Sequence, residues 1–558
     1  MDDLNDFLKI QTDYFENQPN QQGLRDPFGS PDASRANSVE DTDKVGSKGF
    51  VKMNAKNSGI SNYGSEHFRV IVGKKGSGKT LYLRRYFLNL RRENSIFTEN
   101  FEIVIENLEQ LRPQTDHILK FSQLFNGEFL TEKWRILWRM AIIRTVVIHI
   151  FHNAKLADFK KKLPSDFKKK YKSILSKAER PIPIFSQVIE IINNIQDAKD
   201  FNKLSSSILW YELDVDLGEI IKNGVPLFFF VDAIDEEYQH APTYWLRAQK
   251  GLFYTLMQFL RDTAIGGKLH ILISIRDNVY SSILNSEHET RYLDSSYVTI
   301  LHWNTESAKY LLLEKLRHLE PIYFIKKGKD LEENWLGLRA IRNTKRNVEE
   351  NVLDYIVRHT RCIPRDIVIL GNALSNRVRN LKETTNDFTN FEKDIVKIVH
   401  HFAKRFAQEQ IQISANHLTA NLMPSQAFEL GIHKMYTSAY SGDQEYLNLS
   451  NIFLDKIREI FSHIGKDRFS NEELKEARRF TKEVFEIDSD LNFFDILWQN
   501  GLLGYDVDEV YTKFFSENTT EFKLPFDKEN YSFHSILIDY YQLSAIGNPV
   551  KMKTFETK

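Results

Sequence analysis

One cysteine, Cys362, stands in 558 residues, which excludes an intramolecular disulfide and any thiolate metal cluster. Glycine (24) and proline (14) are scarce, so few breaks interrupt the chain and a helix-rich fold is expected. Net charge is missing as well: 75 Lys and Arg against 76 Asp and Glu leave −1, so no chain-wide field draws in nucleic acid or an anionic membrane. Long apolar runs are also absent. The longest, Ile136 to Phe151, is broken by Arg139 and Arg144 and falls short of the ~20 clean residues a bilayer requires. The opening MDDLNDFLKI has neither a basic stretch nor a cleavable apolar segment, which argues against secretion and predicts a cytoplasmic protein with no membrane contact. What the chain does have is phenylalanine (40) and a hydrophobic share of 42% at a mean hydropathy of −0.42, the balance of a soluble globular protein. At ~100–200 residues per domain the length predicts three or four units.

Residues 1–48 are rich in Asn, Gln, Asp and Ser, and a segment that buries so little apolar surface is expected to remain a disordered arm. From His67 onward short apolar runs alternate with helical stretches. His67–Val72, Phe101–Ile105, Val225–Val231, Leu269–Ile275 and Tyr297–Leu301 read as strands buried on both faces, and Tyr244–Arg261 aligns Leu252, Leu256, Phe259 and Leu260 on one helical face. The pattern predicts a three-layer α/β domain with a parallel sheet over 60–305, carrying a helical insertion over 127–215. Within the insertion DFKKK occurs twice, and Lys155–Arg180 holds ten Lys and Arg against three Asp and Glu. A solvated helical face is the simpler reading of that patch; a nucleic-acid or partner contact is the alternative. Residues 306–450 read as a helical domain. Over 451–545 three helices (Asn451–Ile464, Ser470–Phe480, Leu491–Gln499) precede two strand-like pieces (Leu503–Val507, Tyr531–His534), the order of a winged helix.

Chemistry concentrates at Gly73-Lys74-Lys75-Gly76-Ser77-Gly78-Lys79-Thr80, a full G-x-x-x-x-G-K-[ST] pattern between an expected strand and helix. Glycines at 73, 76 and 78 allow a tight loop whose N–H groups converge on an anion, and the helix start adds unpaired donors and a favourable dipole. Lys79 would bring a point charge to the β- and γ-phosphates, and the Thr80 hydroxyl would ligate Mg²⁺. A second element, Leu227 to Asp232, delivers Asp232 at the end of an apolar strand as a partner for the metal, the Walker B pattern. Ala233 follows where many strand-inserted ATPases carry Glu, and carboxylates return at Asp235 and Glu236. Capping the next helix is the other role open to that pair.

That spacing resembles the STAND class of P-loop NTPases, in its NACHT-like branch. The resemblance spans about residues 60–380, and it implies that Asp232 holds the metal while Asp235 or Glu236 handles the attacking water. Alternation along the fourth strand puts Ser274 and Arg276 on one face near the phosphate loop, and by resemblance Arg276 looks like the arginine that reads the γ-phosphate. A surface pair with Asp277 is the other reading. Thr360 to Asp366 resembles the proline-containing lid motif of the class, which makes 306–450 a helical lid and Arg365 a phosphate contact; Cys362 stands where that motif usually has glycine. The phosphate loop, the Trp134 helix and Leu301-His302-Trp303 also resemble a prokaryotic family of STAND-like ATPases found in anti-phage defence loci.

The winged-helix-like unit is not expected to read DNA. Eleven Asp and Glu face three Lys between Asp488 and Asp539, and counterion release requires the opposite balance. The sequence therefore predicts an ATP- and Mg²⁺-dependent switch that hydrolyses ATP, acting with a partner protein or through self-association; the family resemblance alone implies that it serves defence signalling. The alternative is a nucleic-acid-dependent motor or loader that touches DNA through the basic insertion.

Overall fold

Successive strand residues point to opposite faces, and Leu227-Phe228-Phe229-Phe230-Val231 is apolar at every position, so it can be stable only between two covering layers. A computed structural model of the chain describes residues 2–17, 26–30, 69–96, 102–105, 115–125, 129–152, 160–161, 163–175, 182–222, 224, 226–232, 242–262, 265, 267–284, 297–421, 444–485, 493–508, 511–515, 523–547 and 551–553. It puts that run at the heart of a five-stranded sheet. The strands are β1 (Val70–Gly73), β2 (Glu102–Ile105), β3 (Leu227–Val231), β4 (Leu269–Arg276) and β5 (Val298–Ile300), in the order β2-β3-β4-β1-β5 and all parallel. Alternate residues feed two cores. Ile71, Phe228, Phe230 and Leu272 pack with Tyr82, Leu83 and Phe87 of the helix Lys79–Ile96, whereas Val70, Phe229, Val231 and Ile273 face the opposite layer.

That opposite layer is built by the insertion. The longest apolar run becomes the helix Leu130–His152, buried against the sheet and against Pro242–Arg261. The two helices approach closely at Gly251, where a Cβ would come within 2.6 Å of Trp134 Cβ and 2.8 Å of the Arg135 nitrogen. Trp138 Nε1 donates to the Ala248 carbonyl at 2.8 Å across the same contact. Among the described residues no helix is long and apolar enough to cross a membrane.

The expected helical unit has its own core around Trp335, Leu353, Leu370 and Phe402, with one departure. A hairpin, β6 (Ala340–Asn343) and β7 (Val348–Asn351), interrupts the helices, turning through Asn347 at φ 52°. Part of the N-terminal arm is a second departure and a correction; of residues 1–48, those outside 2–17 and 26–30 lie outside the described residues. Asp2–Asn17 is a helix whose Leu4, Phe7 and Leu8 are buried in this core, with the Arg377 guanidinium over the Phe7 ring. Phe28 follows into it: its N–H donates to Asn372 Oδ1 at 2.7 Å and its ring faces Trp335. Apolar burial at helical spacing overrides the polar average of the segment.

The C-terminal unit runs from the helix Gln444–Ile464 through β8 (Arg468–Ser470), the helices Asn471–Phe485 and Phe493–Gln499, then β9 (Leu503–Asp506), β10 (Tyr511–Phe514), β11 (Asn530–Phe533), the helix Ile536–Tyr540 and β12 (Lys551–Lys553). Its sheet order is β12-β10-β9-β11-β8. The 31-residue helix Phe391–Asn421 joins this unit to the preceding one, giving Phe402 and Phe406 to the helical core and Ala407, Ile411 and Ala415 to the largest core.

Candidate functional site

The loop after β1 bends through Gly76 at φ 85° and Gly78 at φ 95°, conformations that only glycine adopts without strain. Lys79 is buried and folds back, its ammonium donating to the carbonyls of Gly73 at 2.9 Å and Lys74 at 3.2 Å. Ser77 is buried, and its hydroxyl has no hydrogen-bond partner among the described residues. Trp303 Nε1 donates to the Ser77 carbonyl at 3.1 Å, so the Leu301-His302-Trp303 stretch clamps the loop from β5. Thr80, half-buried, is the second residue of the following helix.

Because β4 lies between β1 and β3, it carries side chains toward both. Arg276, 5% exposed, pairs in register with Gly73, and the Ser274 hydroxyl donates to buried Asp232, the residue that follows β3. The sheet thus brings Gly73, Asp232 and Arg276 to one edge, the carboxyl ends of parallel strands where ligand crevices form. Asp235 and Glu236 lie outside the described residues.

The helical unit closes on the loop at the proline motif. Cys362 adopts φ 57°, the left-handed conformation that glycine would take without cost, and Pro364 then starts the helix Pro364–Thr384. The Arg365 N–H donates to the Gly76 carbonyl at 3.3 Å, and a Cβ on Gly76 would sit 2.8 Å from Arg365 Cβ. Arg365 therefore touches the glycine loop through its backbone, while its guanidinium lies 3.6 Å from Glu409. Glu409 also lies 3.6 Å from Lys75 and takes a hydrogen bond from Arg361 at 2.9 Å. Arg361 in turn forks onto fully buried Asp366 at 2.7 and 2.8 Å. Burial alone would raise the Glu409 carboxyl, but the fields of Arg361, Arg365 and Lys75 outweigh it and hold the group down at about 2. Burial likewise opposes the charge on Arg361; Asp366 and Glu409 reverse that and raise its pKa.

The C-terminal unit covers the remaining side. Gly501 stands at φ 68° where a Cβ would be 3.0 Å from Lys74 Nζ. Lys74, Lys75, Arg276, Asp277, Arg361, Gln410 and His534 line a cleft beside it. His534 is buried; its Nδ1 accepts from the Ile536 N–H at 3.3 Å, and its Nε2 is buried with no hydrogen-bond partner among the described residues. Burial, then the charges of Lys74, Arg358 and Arg361, push this imidazole down to about 3, so it is neutral at pH 7. The cleft wall thus carries four cations, Lys74, Lys75, Arg276 and Arg361, against one carboxylate, Asp277, with the neutral His534 imidazole among them.

The structure brings Gly73 through Thr80, Asp232, Arg276 and the Arg365 backbone into one region. Sequence reasoning missed Glu409, His534 and the fork of Arg361. Glu409 stands mid-helix with no local motif, and His534 ends a strand far along the chain; only the fold makes them neighbours of the loop. In the basic insertion, Lys170 is paired with Glu212 at 3.3 Å and Asp216 at 3.1 Å. No family model, no curated protein and no solved structure matches the chain.

Proposed function

We propose that the chain is an ATP-dependent molecular switch with a P-loop NTPase core, a helical lid and a winged-helix-like unit that closes the nucleotide cleft. The observation that carries this reading is the loop Gly73–Thr80, complete in sequence and covered by Trp303, by the Arg365 backbone and by Gly501 of the last unit. A strand inserted between the loop strand and the Asp232 strand fits the strand-inserted division of such ATPases. The order helix, β8, two helices, β9 and β11 fits a winged helix, to which β10 and β12 are additions.

The donor set suits a magnesium triphosphate. The buried Ser77 hydroxyl, loop glycines and surrounding cations suit phosphate oxygens, while the Thr80 hydroxyl and Asp232 carboxylate are the hard oxygen ligands that Mg²⁺ prefers. Thr80 and Asp232 would hold the ion, and Mg²⁺ bound there would offset negative charge on the triphosphate. Ser274 holds the Asp232 carboxylate in position. Arg276 is the candidate for charge developing on the γ-phosphoryl group, and Asp235 or Glu236 for orienting the attacking water. Glu409 neutralises Lys75 and Arg365 when no phosphate is near; an arriving triphosphate competes for the same cations, and that exchange couples nucleotide to the lid.

Calorimetry with magnesium ATP tests binding, and single-turnover hydrolysis tests catalysis. Wild type is expected to bind and turn over, Lys79→Ala to lose binding, and Glu236→Gln or Asp235→Asn to keep binding while losing turnover. Absence of heat with wild type overturns the reading.

A further inference from the structure

Two imidazoles and a carboxylate meet where the helical unit touches the C-terminal unit. His359 caps the helix Val352–Arg358, His400 lies on Phe391–Asn421, and Asp539 on Ile536–Tyr540. One ligand atom from each lies within 4.8 Å of the other two. His359 is 4% and Asp539 8% exposed, so the cluster is largely shielded from solvent.

A single residue orients both rings. The Tyr355 carbonyl is 2.7 Å from His359 Nδ1, and the Tyr355 hydroxyl is 2.7 Å from His400 Nε2. A carbonyl can only accept, so His359 Nδ1 carries the proton and the lone pair lies on Nε2. For His400 the hydroxyl can accept Nε2–H, which leaves a lone pair on Nδ1, 3.4 Å from Asp539 Oδ2. Bonds of about 2.0–2.1 Å to a tetrahedral ion set neighbouring ligand atoms about 3.3 Å apart, so this edge already has the required length. Histidines whose far nitrogens are fixed by a carbonyl or hydroxyl have the outer-shell support that metal-binding histidines use.

We propose that His359, His400 and Asp539 form a site for a borderline divalent transition ion of the zinc type, with water as the fourth ligand. Two nitrogen donors disfavour Mg²⁺ and Ca²⁺, which take oxygen, and suit Zn²⁺ or Co²⁺. Two ligands belong to the helical unit and one to the C-terminal unit, so the ion would pin the two together. Lys345 on the β6–β7 turn is the competing cation, paired now with Asp539.

The test is a Co²⁺ titration of the EDTA-treated full chain without nucleotide, read by visible d–d absorption. The expected result is an intense band that saturates at one equivalent and is displaced by Zn²⁺. Asp539→Asn and His400→Gln should each weaken Co²⁺ binding by about tenfold or more, with the fold checked by circular dichroism. Lys345→Ala, which removes the competitor and no ligand, should tighten it. Thr80→Ala should leave the band unchanged, separating this site from the phosphate loop. No band with wild type, equal affinity in Asp539→Asn, or no effect of Lys345→Ala overturns the proposal.

Discussion

Replacing Arg361 with alanine removes a guanidinium that is 8% exposed and makes two hydrogen bonds to Asp366 and one to Glu409. The Asp366 carboxylate, at 0% exposure, would keep only the Arg361 backbone N–H at 3.0 Å. Breaking one side of a buried pair costs about 3–5 kcal/mol, because a charge remains in low dielectric without its partner. The Glu409 share can be read from pH. Its folded-state pKa is depressed from 4.5 to about 2, so it contributes stability that is present above pH 4.5 and is lost as pH falls toward 2. A shift of that size corresponds to at most about 3 kcal/mol. In Arg361→Ala only Arg365 and Lys75, each at 3.6 Å, hold Glu409 down, so the acid-sensitive window should shrink. The assay is urea unfolding followed by tryptophan emission, to which fully buried Trp335 of the same core contributes, at pH 7 and at steps below pH 4.5. Adding Asp366→Asn to the alanine variant should recover part of the loss by removing the stranded charge. An Arg361→Ala midpoint within ~0.5 kcal/mol of wild type, or no recovery with Asp366→Asn, would refute the reasoning.

Other measurements probe separate parts of the molecule. Magnesium ATP at ~100 times its dissociation constant should stabilise wild type by about 2.7 kcal/mol in thermal unfolding, and Lys79→Ala should lose most of that shift. Burial pushes the Cys362 thiol up to about 12, so Ellman's reagent at pH 8 should leave it untouched in the folded chain and titrate one thiol in denaturant; rapid labelling of folded protein would contradict its burial. Gly251→Ala should destabilise by about 1–3 kcal/mol in urea melts, because its methyl meets Trp134 and the Arg135 backbone. Gly371→Ala should release the N-terminal segment, since its Cβ would lie 2.5 Å from the Phe28 ring; faster cleavage near residue 28 in limited proteolysis would report that.

How much of this was legible in the sequence depended on how far each signal reached along the chain. The strands were, because a run such as Leu227–Val231 has nowhere to go but between two layers, and the tight loop between β1 and its helix was, because its glycines are contiguous with the helix start. The N-terminal helix was present in the pattern too: Leu4, Phe7, Leu8 and Gln11 recur at helical spacing and are all buried, but a composition averaged over 48 residues hid them. The β6–β7 hairpin gave little signal because Ile341 is its one fully buried apolar residue. Glu409 and the trio His359, His400 and Asp539 carried none, since each acquires its role from partners tens to hundreds of positions away. The pair His400-His401 reads as two ordinary imidazoles until folding sets Tyr355 and Asp539 beside the first.

The helix Phe391–Asn421 has a mechanical consequence. At 1.5 Å per residue its 31 residues make a rod about 46 Å long. One stretch is embedded in the core of the helical unit, another is packed against the last unit, and Glu409 projects midway toward Lys75. A tug on that carboxylate cannot tilt one end without swinging the other. If the proposed nucleotide reading holds, a rearrangement begun at the loop Gly73–Thr80 would be felt by both flanking bodies in a single stroke, as by the arms of a balance beam.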